Sequence, residues 1–295
     1  MSDKIPVSVL IMTKNEEMNI RKCLESVKWA DEIVMVDSAS TDRTLEIAGE
    51  YTDRIYRYTW DKKWPKKIWS LEKPGFRNDW ILMIDADERA TEEFREEIAP
   101  VVSGEDSGCA GFIVRYHYWF LGRYIKYSDP VRKLILFRKS KARFESYDIS
   151  GADAIEDLEV GHEHPVIDGK VGRVKAPILH EDTRPLYYYF DRHNRYSTWE
   201  AYLIHKGKYK EEEAAVKPGI SGGWLNMRRL MKYVFLHLPL KPLVYFVYSY
   251  IFRLGLLDGY AGFMYNLCKV FYVFQIDIKL NELKLREKKS KYFPT

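Results

Sequence analysis

Ten residues, Trp80-Ile-Leu-Met-Ile-Asp-Ala-Asp-Glu-Arg89, constrain the fold more than any other stretch. Four apolar residues, Ile81 to Ile84, run directly into Asp85, Ala86, Asp87 and Glu88. An unbroken apolar run of this length reads as a strand buried on both faces, which requires helices above and below a mainly parallel sheet. In an open sheet of that kind ligands bind beyond the carboxyl ends of the strands, where these acids emerge. Asp85 and Asp87 are two apart, so they leave a strand on the same side and can converge on one hard cation or on ribose hydroxyls. Mg²⁺ or Mn²⁺ bridging a diphosphate fits such a pair. The competing reading is a strand end whose acids cap and charge the next helix, which begins near Thr91-Glu92-Glu93.

The same pattern occurs twice upstream. Val7 to Met12 is an apolar run ending in Thr13-Lys14-Asn15-Glu16-Glu17, before a helical pattern at Ile20, Leu24 and Val27. Ile33 to Val36 is a second buried strand, ending in Asp37-Ser38-Ala39-Ser40-Thr41-Asp42, with a helix after it at Thr44 to Tyr51. Successive units of this form make right-handed βαβ crossovers whose loops share one edge, so Asp37 is expected beside Glu16 and Asp85. Lys66 and Lys67 precede the third strand and either contact phosphates or belong to a solvated basic loop. No G-x-G-x-x-G or P-loop occurs, so NAD binding and ATP hydrolysis have no support.

Farther along, the pattern predicts a helix around Glu92 to Val102 and strands at Ala110 to Trp119 and Leu134 to Arg138. Glu156-Asp157-Leu-Glu159-Val-Gly-His162-Glu163-His164 is the next dense titratable cluster, ahead of a strand-turn-strand unit with Asp168-Gly169 in its turn. The spacing of His162 and His164 lacks further ligands for zinc and suits a surface strand. Val174 to Leu179 reads as a strand ending in His180, which can complete a metal's coordination, meet a phosphate or serve structurally. Tyr187 to Tyr202 is predicted to be a helix carrying Arg192 and Arg195 one turn apart.

Charge divides the chain. From Trp224 to Thr295 there are twelve Lys and Arg against four Asp and Glu, while the rest of the chain is slightly acidic. The polar stretch Lys206 to Pro218 followed by Ser221-Gly222-Gly223 reads as a connector, giving domains at 1–215 and 216–295. The longest uncharged run after it, Pro242 to Phe252, is shorter than the roughly 20 apolar residues of a spanning helix. Aromatic segments edged with Lys and Arg suit helices lying in the headgroup plane of a membrane; packing on the catalytic domain or on a second subunit is the alternative. No recognised nucleic-acid-binding motif accompanies the basic tail, which disfavours nucleic acid as a partner. Cys23, Cys109 and Cys268 lack disulfide or C-x-x-C spacing and suit a reducing cytosol. The N-terminus reads as a first strand and not as a signal peptide, so the catalytic part is expected to stay inside the cell.

Taken together, T-K-N-E, V-D-S-A-S-T-D and D-A-D-E, each at a strand end and in this order, resemble the family 2 glycosyltransferases over roughly residues 5 to 205. The narrower likeness, through Lys66-Lys67-x-Trp69-Ser-Leu and L-L-D-G-Y-x-G-F, is to bacterial enzymes that extend lipopolysaccharide core or related surface glycans. The resemblance implies a GT-A α/β fold, a Rossmann-like nucleotide-binding half with a mixed central sheet, here followed by C-terminal amphipathic helices. It also implies an inverting, metal-dependent transferase using Mg²⁺ or Mn²⁺, with a UDP-sugar donor and a glycan or lipid-linked glycan acceptor, peripheral on the inner face of the cell membrane. Thr13, Glu16 and Asp37 would then hold uracil and ribose, Asp85 would approach the ribose or metal, and Asp87 would ligate the metal. Arg192 and Arg195 resemble a degenerate form of the family's Q-x-x-R-W helix, aimed at the diphosphate. An inverting transfer needs a base for the acceptor hydroxyl, and Glu163 in its His-Glu pair is expected in that role, with Glu156-Asp157 as the rival. Transfer directly to a polyprenyl phosphate is the alternative reaction, and a catalytically idle membrane scaffold is the alternative from another class. An oligomer is compatible with either.

Overall fold

The computed structural model describes residues 4–59, 66–104, 108–128, 131–143, 165–206, 238 and 240–292. Internal contacts divide the chain into two units, Met1–Lys126 with Pro130–Arg184, and Tyr127–Asp129 with Pro185–Thr295.

In the first unit the strands are β1 (Ile5–Thr13), β2 (Ala30–Asp37), β3 (Ile55–Arg57), β4 (Trp80–Asp85), β5 (Glu88–Ala90), β6 (Gly111–Phe120) and β7 (Arg123–Ile125). They continue with β8 (Arg132–Arg138), β9 (Ala142–Arg143), β10 (Val166–Ile167), β11 (Val171–Arg173) and β12 (Ile178–His180). The main sheet has the order β3-β2-β1-β4-β8-β6-β12-β5, with β7 and β11 also paired to β6. Strands β1 to β4 are mutually parallel, as their apolar runs require, and β8 then enters antiparallel to β4 and makes the sheet mixed. The expected α/β architecture, a Rossmann-like half running into a mixed sheet, is present.

Alternation along β1 feeds two cores. Val7, Val9 and Ile11 pack with Ile20, Cys23 and Leu24 of α1 (Ile20–Ser26) and with Phe94 and Ile98 of α4 (Glu92–Val102), whereas Leu10 faces Leu71 on the opposite side. Helix α2 (Thr44–Ala48) is shorter than its pattern suggested, and α3 (Lys66–Glu72) takes in the two lysines that could have belonged to a loop. Thr91 caps α4, its hydroxyl accepting from Phe94 N at 3.1 Å, with Glu92 and Glu93 in the first turn. The helix therefore starts after the Asp85-to-Glu88 segment, and those acids are not its caps.

The expected strand-turn-strand unit around Asp168-Gly169 is present, but its two strands do not pair with each other. β10 pairs antiparallel with β9 and β11 pairs in parallel with β6, so the two strands leave the turn for different partners and form no hairpin. Gly169, at φ 139°, makes the divergence sterically accessible. The strand expected over Val174 to Leu179 shrinks to β12.

The second unit contains α5 (Leu186–His205), a helix Lys241–Phe246 that runs on as a π-helix Val247–Phe252, a 3₁₀ turn Gly255–Asp258 and a long helix Gly259–Tyr292. Lys279 ties the last helix to α5 by bonds to Asn194 O and Ser197 Oγ at 2.6 and 2.7 Å. α5 thus groups with the C-terminal helices, while the connector expected near residue 215 lies outside the described residues.

Candidate active site

The registers of β1, β2 and β4 bring three loops to one edge: Thr13 pairs with Asp37 and Met12 with Asp85. The first two loops interlock through backbone donors. Glu16 N bonds Thr44 Oγ1, Asn15 N bonds Ser40 Oγ and Thr41 N bonds Asn15 Oδ1, each at 2.8 Å. The fully buried Asp37 carboxylate accepts from the backbone N and hydroxyl of Ser40. Asn15 and Ala39 hold φ of 54° and 58°, and two left-handed non-glycine residues on adjacent loops are the kind of strain that concentrates at functional sites. Thr13 is buried, and its Oγ1 has no hydrogen-bond partner, an orphaned polar atom at the rim.

The acids along the rim sit in different fields. Asp85, its side chain half exposed, faces Lys133 Nζ at 3.5 Å. Desolvation opposes ionisation there, but Lys133, Lys67, His180 and Lys66 together hold the carboxyl below its usual range. Glu88 is buried, with Lys133 Nζ at 2.8 Å and the Tyr116 hydroxyl at 3.1 Å. Burial, reinforced by Asp85 and Asp87 and countered by Lys133, raises its pKa to about 7. Glu16 is also raised to about 7, by burial and then by repulsion from Asp87, although Arg184 Nη1 lies 3.0 Å away and Asn19 Nδ2 donates to it at 2.8 Å. Asp87 is buried, with His180 Nε2 at 3.3 Å and Arg184 Nη2 at 3.8 Å from the same oxygen. Arg184 is fixed in turn by Asp182, with two side-chain bonds of 2.8 Å.

The expectation that Asp85 and Asp87 leave one strand on the same side is corrected. β4 ends at Asp85 and Asp87 stands in the turn before β5, so the strand's two-residue period stops two residues short of Asp87. β5 folds back and pairs antiparallel with β12, His180 opposite Glu88, and this tertiary pairing delivers Asp87 to His180. A carboxylate oxygen and an imidazole nitrogen 3.3 Å apart can share one divalent ion. Among the described residues no group of three or more His, Cys, Asp or Glu closes a metal cage. Mg²⁺ commonly takes only one or two protein ligands and completes its sphere with phosphate oxygens and water.

Thr13, Glu16, Asp37, Asp85, Asp87 and His180 thus meet at the rim. Lys66 Nζ reaches Thr13 O at 3.2 Å, and Lys67 is among the charges acting on Asp85. Arg192 and Arg195 lie on α5 in the second unit, where Arg195 pairs with Asp191 at 3.0 Å. Glu163 and Asp157 fall outside the described residues. Sequence reasoning missed Arg184 and Lys133. The only local signals were an arginine four residues after His180 and a lysine just before the apolar run Leu134 to Phe137, and neither spacing says which acid it meets.

The family model described as Glycosyl transferase family 2 matches residues 8–155, half of the chain. The lipopolysaccharide core biosynthesis glycosyltransferase LpsC of Rhizobium meliloti (strain 1021) is 29% identical over 288 residues, covering 95% of this chain and 93% of that one. A glycosyltransferase of Rickettsia typhi is 25% identical over 292 residues, covering 96% and 89%. Among solved structures, residues 1–349 of S. aureus TarS in complex with UDP-GlcNAc align with a TM-score of 0.41 at 17% identity, over 61% of this chain and 59% of that one.

Proposed function

The chain belongs to glycosyltransferase family 2, and from that premise we propose that it moves a sugar, with inversion, from a UDP-sugar to a growing surface glycan whose acceptor is lipid-linked, at the inner face of the cell membrane. The similarity to LpsC over nearly the whole chain supports the glycan class. The observation that carries the reading is the rim itself: carboxylates from the ends of β1, β2 and β4 stand with Lys66, Lys133, His180 and Arg184 interleaved among them. Acids alone would repel a diphosphate, and bases alone would not select ribose hydroxyls. Their alternation suits a nucleotide-sugar.

In this reading Thr13, Glu16 and Asp37 hold the uracil and ribose, and Asp85 approaches the ribose or metal. Lys66, Lys67 and Arg184 meet the phosphates. Asp87 and His180 hold Mg²⁺ or Mn²⁺, which when bound neutralises charge developing on the leaving diphosphate. Glu163, with Asp157 as its rival, takes the proton of the acceptor hydroxyl as that oxygen attacks the anomeric carbon and the bond to UDP breaks.

A thermal-shift series with UDP- and GDP-sugars, with and without Mn²⁺, tests the reading. A UDP-sugar at a hundred times its Kd should stabilise the fold by about 2.7 kcal/mol. Indifference to every nucleotide would refute it.

A further inference from the structure

The second unit carries a surface that the transfer chemistry leaves unexplained. Between Leu240 and Tyr260 the chain runs along one helical arm, turns through the 3₁₀ segment Gly255–Asp258 and enters the long C-terminal helix as a helical hairpin, with Leu240 and Leu254 both left-handed at φ 54° and 60°. The inside of this hairpin is tightly built. Phe246 and Tyr250 stack at 5.1 Å and both meet Phe263 edge-on. Lys241 bonds Asp277 at 2.5 Å, and buried Asp258 accepts from Tyr127 N at 3.0 Å. Close backbone crossing fixes the corner, since a Cβ on Gly255 would stand 2.7 Å from Ser128 Oγ and one on Gly262 would stand 2.4 Å from Asp258 Cβ.

The outside is apolar. Leu240, Phe252 and Tyr260 are 72 to 74% exposed, and Leu243, Ile251 and Leu256 are exposed beside them. These six exposed large apolar side chains within 21 residues mark an interaction surface. The charges lean positive: from Leu240 to Asp277 the sequence contains Lys241, Arg253 and Lys269 against Asp258, which is buried, and Asp277, which pairs with Lys241. A two-fold contact between copies would set this patch against itself, bringing Arg253 toward like charge with no exposed carboxylate to pair it. An anionic lipid surface matches the patch in both respects, with acyl chains for the leucines and phenylalanine and negative charge toward the net positive stretch. No helix among the described residues is long and apolar enough to cross a membrane.

We propose that the Leu240–Tyr260 hairpin is a monotopic insertion element, which dips Phe252, Leu256 and their neighbours into an anionic bilayer while Arg253 and Lys269 meet its headgroups. This deepens the membrane part of the proposed function and rests on that reading only for which leaflet is met. The test uses the full chain with phosphatidylcholine vesicles, alone or mixed with phosphatidylglycerol. Sedimentation should show at least tenfold stronger partitioning onto the mixed vesicles, reduced by salt. Phe252→Glu with Leu256→Glu should lower it at least tenfold without changing the thermal unfolding midpoint. Since a double variant can fail to fold, Phe252→Trp provides a second readout: brominated acyl chains should quench its fluorescence beyond the loss seen in the unsubstituted protein. Absence of vesicle binding, absence of added quenching, or a dimer in solution that the double variant splits into monomers would each overturn the proposal. UDP binding, measured without vesicles, reports separately on the donor reading.

Discussion

At the scale of single residues, the rim is a set of acids held apart by cations from elsewhere in the chain. Asp87 is buried and faces both His180 and Arg184. Asp87→Asn should lower kcat by about 10² or more, and chelation with EDTA should do the same to the unsubstituted enzyme, because both remove charge stabilisation of the leaving group. Steady-state kinetics check this, and full turnover in rigorously metal-free buffer would contradict it. Glu16 makes a pH prediction. Its folded pKa is raised to about 7 from 4.5, so its stabilising contribution is complete below about pH 4.5 and is lost as pH rises through 7. Glu16→Gln should therefore remove roughly 1–3 kcal/mol of the stability the donor-free protein loses between pH 5 and 8. Urea unfolding at several pH values reads the difference. Equal slopes for the two proteins would mean that Glu16 ionises normally in the fold.

At the scale of elements, turns and caps decide where acids end up. The Thr91 hydroxyl accepts from Phe94 N and donates to Pro177 O at 3.2 Å, joining the start of α4 to the strand that carries His180. Thr91→Ala should cost about 1 kcal/mol of stability through the lost cap. It should also weaken UDP binding more than an equally destabilising change at the far end of α4, and calorimetry on both variants separates the two effects. The β6–β7 hairpin shows where local reading fails. Leu121 and Gly122 both take positive φ, 45° and 82°, as a two-residue hairpin turn requires, yet leucine carries no turn signal and β7 went unread.

For the whole molecule, the division into two units sets an expectation about ligand response. Hydrogen exchange with UDP and Mn²⁺ should protect amides around residues 13–16, 37–40, 85–88 and 180–184, and it tests the role that the family likeness gives Arg192 and Arg195 on α5. Protection confined to the first unit would remove those two arginines from the site and leave Arg184 with their role.

Three strand-then-acid units were legible in the sequence because apolar runs, side-chain alternation and helix periodicity are local properties, and right-handed crossovers convert their order into a shared edge. That was enough to place Thr13, Glu16, Asp37 and Asp85 together and to identify the family. Tertiary structure alone decided which cation each acid meets. His180 reaches Asp87 because β5 folds back on β12, and Lys133 reaches Asp85 and Glu88 because β8 enters the sheet antiparallel beside β4. Pairings across such sequence separations depend on strand order and register, which are settled by packing the whole core, and no window of local sequence contains that information.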